Sequence, residues 1–238
     1  MGVSGGPNMI DDGLVLALDA SDRNSYPGSG TTWRDLTANN FTGSLVNGPT
    51  FSSNNLGSIV FDGLDDYVLI NSGSTILNPT SSITVSSFFN VTSYGANYAP
   101  IVFKQNNYAD FYEQYVLSAG PSAIFFGVTG TDRVQRGALA TMSAFGINVH
   151  AVGTCDTITD EIKIYINGRL ITTGVFTSTF DIAIDTPVNI GGTGVLKFGG
   201  SFRGWTNGKI YNTRIYNRAL SAQEVLQNYN ALKSRFNL

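Results

Sequence analysis

The stretch EIKIYINGRLITT (161–173) constrains the fold of this chain more than any other. Ile162, Ile164 and Ile166 alternate with Lys163 and Tyr165, the period of two that sorts side chains onto opposite faces of a strand. Asn167-Gly168 then supplies the two positive-φ residues of a type I′ turn. The stretch is therefore a β-hairpin, and its apolar face needs a second layer to cover it. Other short runs, rich in β-branched and aromatic residues, are bounded by Gly, Asn, Asp or Pro. LVLALD (14–19), SIVF (58–61), YVLI (67–70), ITVSSFFN (83–90), APIVFK (99–104), SAIFFGV (122–128), INVHAVGT (147–154) and KIYNTRIY (209–216) read as strands on the same grounds. No strand alternates with a helix of about 10–15 residues, so a parallel α/β fold is not expected. FDGLDDYVLI (61–70) reads as a second hairpin, with Asp62-Gly63 opening a slightly longer turn.

One helix is specified, over LSAQEVLQNYNALKSRF (220–236). Ser221 and Glu224 have the spacing of a capping box, and Leu220 and Val225 that of a hydrophobic staple. Val225, Tyr229 and Leu232 make its apolar stripe, while Lys233 and Arg235 suit the negative end of the helix dipole. A single short helix in an all-β chain is expected to pack on an edge or end of the sandwich.

A length of 238 residues suits one large β domain, here 13–238 preceded by an N-terminal arm, 1–12. Cys155 is the only cysteine, which rules out an intramolecular disulfide. No stretch approaches the ~20 apolar residues of a membrane span, so no membrane insertion is expected. The start, MGVSGGPNMIDDG, lacks the charged-then-apolar build of a signal peptide. Bases outnumber acids six to one from Arg203 onward, but they are spread over strand, loop and helix without a basic-aromatic motif. Nucleic acid is therefore not an expected partner.

Catalytic material is scarce. A Ser-His-Asp triad would have to use His150, whose strand setting suits a structural histidine. The glutamates are Glu113, Glu161 and Glu224, and no predicted strand carries two acids on one face. A sandwich glycosidase needs two carboxylates facing one another across a groove. The glycine-rich GGTGVLKFGG (191–200) matches neither nucleotide-binding fingerprint and reads as a loop. Asp62, Asp65 and Asp66 cluster around a turn. Calcium would need about six oxygen ligands, which these acids supply only with a remote acid such as Asp19 or with backbone carbonyls. No metal is expected there, although calcium stays open. What the sequence does offer is aromatic rings in predicted loops. Tyr94, Tyr98, Tyr108, Tyr112 and Trp205 are the candidate carbohydrate-binding residues, since exposed rings stack on sugars. The same rings could instead fill the ends of the sandwich or a subunit interface.

GLVLALDAS, WRDLTANNFTGSLVNGPTF, GSIVFDGLDDYVLI, INVHAVGTCDTITDEIKIYINGRL and GKIYNTRIYNRALSAQEVLQNYNALKSRF occur in that order from about residue 13 to the end. Together they resemble the concanavalin A-like, laminin-G-like (LamG) jelly-roll family. The resemblance implies two curved antiparallel sheets packed face to face, with one short C-terminal helix. It implies a binding or architectural module for sugars and protein partners, often with calcium and only sometimes a glycanase. SYPGSGTTWRDL and FDGLDDYV are most similar to copies in marine bacteriophages and other aquatic viruses. On that likeness the expected role is a non-catalytic virion protein, a surface decoration or tail appendage subunit. Its partners would be other virion proteins, host-surface glycans and further copies of itself. The alternative is a carbohydrate-active enzyme or a detached carbohydrate-binding module. Where related domains often carry acids near the end, this chain has Tyr211 and Asn212, which weighs against calcium.

Overall fold

The computed structural model describes residues 8–70, 75–94, 98–105, 113–143, 145–181, 186–193 and 204–238, with the backbone alone at Tyr94. The strands are β1 Leu14–Asp19, β2 Thr32–Arg34, β3 Thr42–Val46, β4 Thr50–Ser52, β5 Ser58–Asp62, β6 Tyr67–Ile70, β7 Ser82–Tyr94 and β8 Ala99–Gln105. They continue as β9 Glu113–Ala119, β10 Ala123–Thr129, β11 Gln135–Thr141, β12 Val149–Asp156, β13 Glu161–Ile166, β14 Arg169–Val175, β15 Val188–Ile190 and β16 Thr206–Tyr216. Helix α1 covers Ala222–Leu232 and runs into a 3-10 turn, Lys233–Phe236.

These strands form two antiparallel sheets. The first runs β14-β13-β12-β7-β16-β5-β4, with β1 also paired to β16. The second runs β11-β10-β9-β8-β15-β6-β3-β2. The period-two residues meet between the sheets: Val85, Phe89, Ile162 and Ile164 from the first join Ile101, Leu117, Ile124 and Phe126 from the second in one buried cluster. The Asn167-Gly168 turn is as predicted, with φ of 49° and 79°, and joins β13 to β14.

FDGLDDYVLI is not a hairpin. β5 pairs with β4 and β16 in the first sheet, whereas β6 pairs with β3 and β15 in the second. Residues 62–66 therefore carry the chain from one layer to the other. The turn is held locally: Asp62 Oδ1 accepts from Leu64 N at 2.8 Å, and Asp66 Oδ2 accepts from Asp62 N at 3.1 Å. Those bonds are compatible with either connection, so the turn chemistry did not reveal the change of sheet.

The helix is capped as its sequence predicts, with Ser221 Oγ accepting from Glu224 N and Glu224 Oε2 accepting from Ser221 N. Its position differs from expectation. It lies on the outer face of the first sheet, not on an edge or end. Val225 and Leu220 pack with Val152, Tyr165 and Tyr216, while Phe236 packs with Phe88 and Tyr211. This face carries rings where an exposed sheet would carry polar residues, and each fully buried apolar side chain contributes about 1.5–3 kcal/mol. Asn228 interrupts the apolar stripe yet is buried. It accepts from Ile10 N at 2.9 Å and donates to Tyr216 Oη at 3.0 Å, tying residues 8–12 to the helix.

Candidate functional site

The outer face of the first sheet is covered by α1, and among the described residues no α-helix lies over that of the second. β8 to β11 build it. Tyr115, Leu117, Ile124, Phe126, Ala138 and Ala140 point into the core, so Val116, Ser118, Phe125 and Leu139 point outward. Phe125 lies flat along this face because Gly127 and Gly137 make room for it. A Cβ at Gly127 would stand 2.4 Å from Phe125 Cε1, and one at Gly137 would stand 2.2 Å from Cε2. Gly127 and Gly137 are direct partners across β10 and β11, so the two clearances form one slot.

The result is a mostly apolar groove of about 150 Å³, with Tyr98, Phe103 and Phe125 along it and Glu113, Gln135 and Thr193 as polar groups. Tyr98 is exposed, and the half-buried Phe125 stands beside it. Gln135 Nε2 donates to Glu113 Oε2 at 2.6 Å, joining the start of β9 to that of β11. Burial pushes the Glu113 carboxyl above the usual glutamate range, and the bonds from its own backbone and from Gln135 only partly offset this. Thr193 is buried, and its Oγ1 has no hydrogen-bond partner among the described residues. Chemically the groove offers ring faces, one carboxylate and one amide, the combination that orients a small hydroxylated ligand.

Among the five aromatic candidates, Tyr98 lines this groove. Trp205 is half-buried, its ring 6.0 Å from that of Tyr67 and pressed against Gly192. Tyr108 and Tyr112 lie outside the described residues, as does the side chain of Tyr94. Phe125, Glu113 and Gln135 were not singled out in the sequence. YVLS (115–118) carries a strand signal that would have placed Glu113 at a strand start; QRGALAT (135–141), with almost no β-branched or aromatic residue, carries none.

His150 is structural. It belongs to a cluster of near-parallel rings, 4.4 Å from Phe88 and 5.9 Å from Tyr229, and its Nε2 bonds with Ser86 Oγ at 2.9 Å. Burial, helped by Arg214, pulls its pKa down to about 3, so the ring is neutral at physiological pH. Cys155 is buried in the core, and burial raises its thiol pKa, which leaves it a poor nucleophile. At the 62–66 turn, ligand atoms of Asp62, Asp65 and Asp66 lie within 4.8 Å of one another. Burial, and then the two neighbouring carboxylates, raise the Asp66 pKa against its bond from Asp62 N.

A laminin-G-type family model, described as the concanavalin A-like lectin/glucanases superfamily, matches residues 61–226. The chain belongs to that superfamily. No curated protein matches it by sequence. Among solved structures, it is similar to the receptor-binding domain of botulinum neurotoxin C/D mosaic serotype, with TM-score 0.69 and 15% identity over 92% of this chain and 51% of that one. It is similar to the binding domain of Paraclostridial Mosquitocidal Protein 1, with TM-score 0.67 and 16% identity over 92% and 52%. It is also similar to the binding domain of botulinum neurotoxin DC solved in complex with SialylT, with TM-score 0.70 and 14% identity over 93% and 52%. The chain spans about half the length of these solved chains, and at such identities the likeness establishes the shared fold.

Proposed function

We propose that this domain is a non-catalytic, lectin-like module whose β8–β11 groove binds glycan. One observation carries the reading: Tyr98 and Phe125 present ring faces beside the Glu113–Gln135 pair on the sheet face that α1 leaves open. Rings of this kind take the C–H face of a sugar, and the carboxylate and amide take its hydroxyls. Glu113 is the only carboxylate lining the groove among the described residues, whereas glycoside cleavage calls for two. The superfamily holds both lectins and glucanases, and structural neighbours that are binding domains support binding over cutting.

The sequence resemblance carries a further part of the reading, that the module sits on a virus particle as a decoration or appendage subunit. Immunogold labelling of particles with an antibody to this chain tests that part, and unlabelled particles would remove it.

Binding is tested by a glycan array followed by calorimetry on the best neutral oligosaccharide. Tyr98→Ala and Phe125→Ala should each weaken binding by about two- to tenfold, as expected for loss of one aromatic contact of ~0.5–1.5 kcal/mol. The glycan should be recovered uncut. Retention unchanged in both variants would reject the groove, and turnover abolished by Glu113→Gln would make the protein an enzyme.

A further inference from the structure

A second groove, of about 600 Å³, lies between α1, the 167–169 turn and the end of β11. Arg169, Lys233, Asn230, Tyr229, Ile171 and Leu226 are among its lining residues. Its base is rigid. A Cβ at Gly168 would stand 2.9 Å from Leu226 Cδ1, so the hairpin tip is pressed onto the helix, and Asn167 Oδ1 accepts from His150 N at 3.0 Å.

The charge of this groove runs against that of the protein. The chain carries a net charge of −3, yet Arg169 and Lys233 line the groove with no acid beside them among the lining residues. Neither takes part in any of the ion pairs found among the described residues. They come from different elements, the first residue of β14 and the C-cap of α1, and are brought together only by the packing of the hairpin on the helix. Lys233 Nζ sits 5.6 Å from the centre of the half-buried Tyr229 ring, which holds the ammonium over the groove wall. Ile171 and Leu226, both largely exposed, supply apolar surface.

We propose that this groove is a second ligand site, for a sugar residue that bears a carboxylate. Two cations outside any of the ion pairs found specify an anion, and a guanidinium and an ammonium lining one groove suit a carboxylate. The Asn230 amide and the Tyr229 phenol suit the ring hydroxyls that flank it, and the aliphatic wall suits the ring's C–H face. The site is separate from the β8–β11 groove: the two share no lining residue, and that groove is lined by a carboxylate of its own.

The test uses the full chain and three probes followed by NMR titration: methyl β-glucuronide, methyl β-glucoside and tetraglutamate. Glucuronide should bind more tightly than glucoside or tetraglutamate, and more weakly as salt rises. Arg169→Gln and Lys233→Gln should each weaken it by about tenfold, the loss expected for one charged hydrogen bond. Arg169→Lys should retain part of the affinity, and Tyr98→Ala all of it. Arg169 is exposed, so its variants should fold, which melting curves will verify. Equal binding of glucuronide and glucoside, tighter binding of tetraglutamate, or a loss caused by Tyr98→Ala and not by Arg169→Gln would each overturn the proposal.

Discussion

Arg235, three residues before the last, donates from Nη1 to Asp19 Oδ1 at 2.9 Å and so ties the 3-10 turn after α1 to the end of β1. Arg235 also donates to the carbonyls of Asn55 and Gly57, and Arg214 Nη2 reaches Asp19 Oδ2 at 3.3 Å. Arg235, Arg214 and Asp19 are all nearly inaccessible to solvent. The cluster fastens the helix to the sheet through residues more than 200 positions apart.

Removing one partner leaves a buried charge uncompensated, so Asp19→Ala or Arg235→Ala should cost about 3–5 kcal/mol. Burial alone would raise the Asp19 pKa, but Arg214, Arg235 and the bonds from Ser21 together outweigh it and hold the carboxyl below its usual value. The stability this confers is present above the unfolded carboxyl pKa of about 3.9 and lost as pH falls through the lower folded value. Urea titrations in acid should show it; if Asp19→Asn leaves the acid limb unchanged, the coupling is not there.

Replacing Ser221 by Ala should lower stability by about 1 kcal/mol through loss of the cap. Glu224 is held down to about 2, chiefly by its bonds from Arg218, so its contribution should be full above the unfolded glutamate pKa of about 4.3 and be lost as the pH falls from there towards the folded value. Thermal melts of Ser221→Ala and Ser221→Asp decide the matter, since Asp restores a cap and should restore the melting temperature.

His150 predicts a second pH dependence. Its folded pKa lies well below the unfolded value of about 6.5, so the unfolded chain takes up a proton that the folded chain refuses. Stability should be full above about pH 6.5 and decline below it, by up to about 1.4 kcal/mol per pH unit, until the folded pKa is reached. In NMR the ring should not titrate between pH 5 and 8, and His150→Phe should flatten the slope. A ring titrating near 6.5 would contradict its burial.

The acids of the 62–66 turn are expected to serve the turn and not a metal. Chelator should leave the melting temperature unchanged, and added calcium should not raise it. A ligand at a hundredfold over its dissociation constant would stabilise by ~2.7 kcal/mol, an effect readily seen. A calcium-dependent rise abolished by Asp65→Ala would establish a site.

What the sequence by itself determined is local. The alternation of Ile162, Ile164 and Ile166, the Asn167-Gly168 turn and the Ser221–Glu224 box each act within a few residues, and each is present as read. The family likeness added the two-sheet sandwich that such local signals cannot order. Only the tertiary structure decided that 62–66 crosses between sheets, because the same Asx bonds serve a hairpin and a crossing alike. It alone placed α1 on a sheet face, through Phe88, Tyr211 and Phe236, residues scattered over 149 positions whose rings meet only when β7 and β16 pair. Both grooves are products of the same kind. Glu113 and Gln135 converge through strand register, and Arg169 and Lys233 through the docking of a hairpin on a helix. Contacts between residues far apart in the chain depend on how whole layers pack, and no short stretch of sequence encodes that packing.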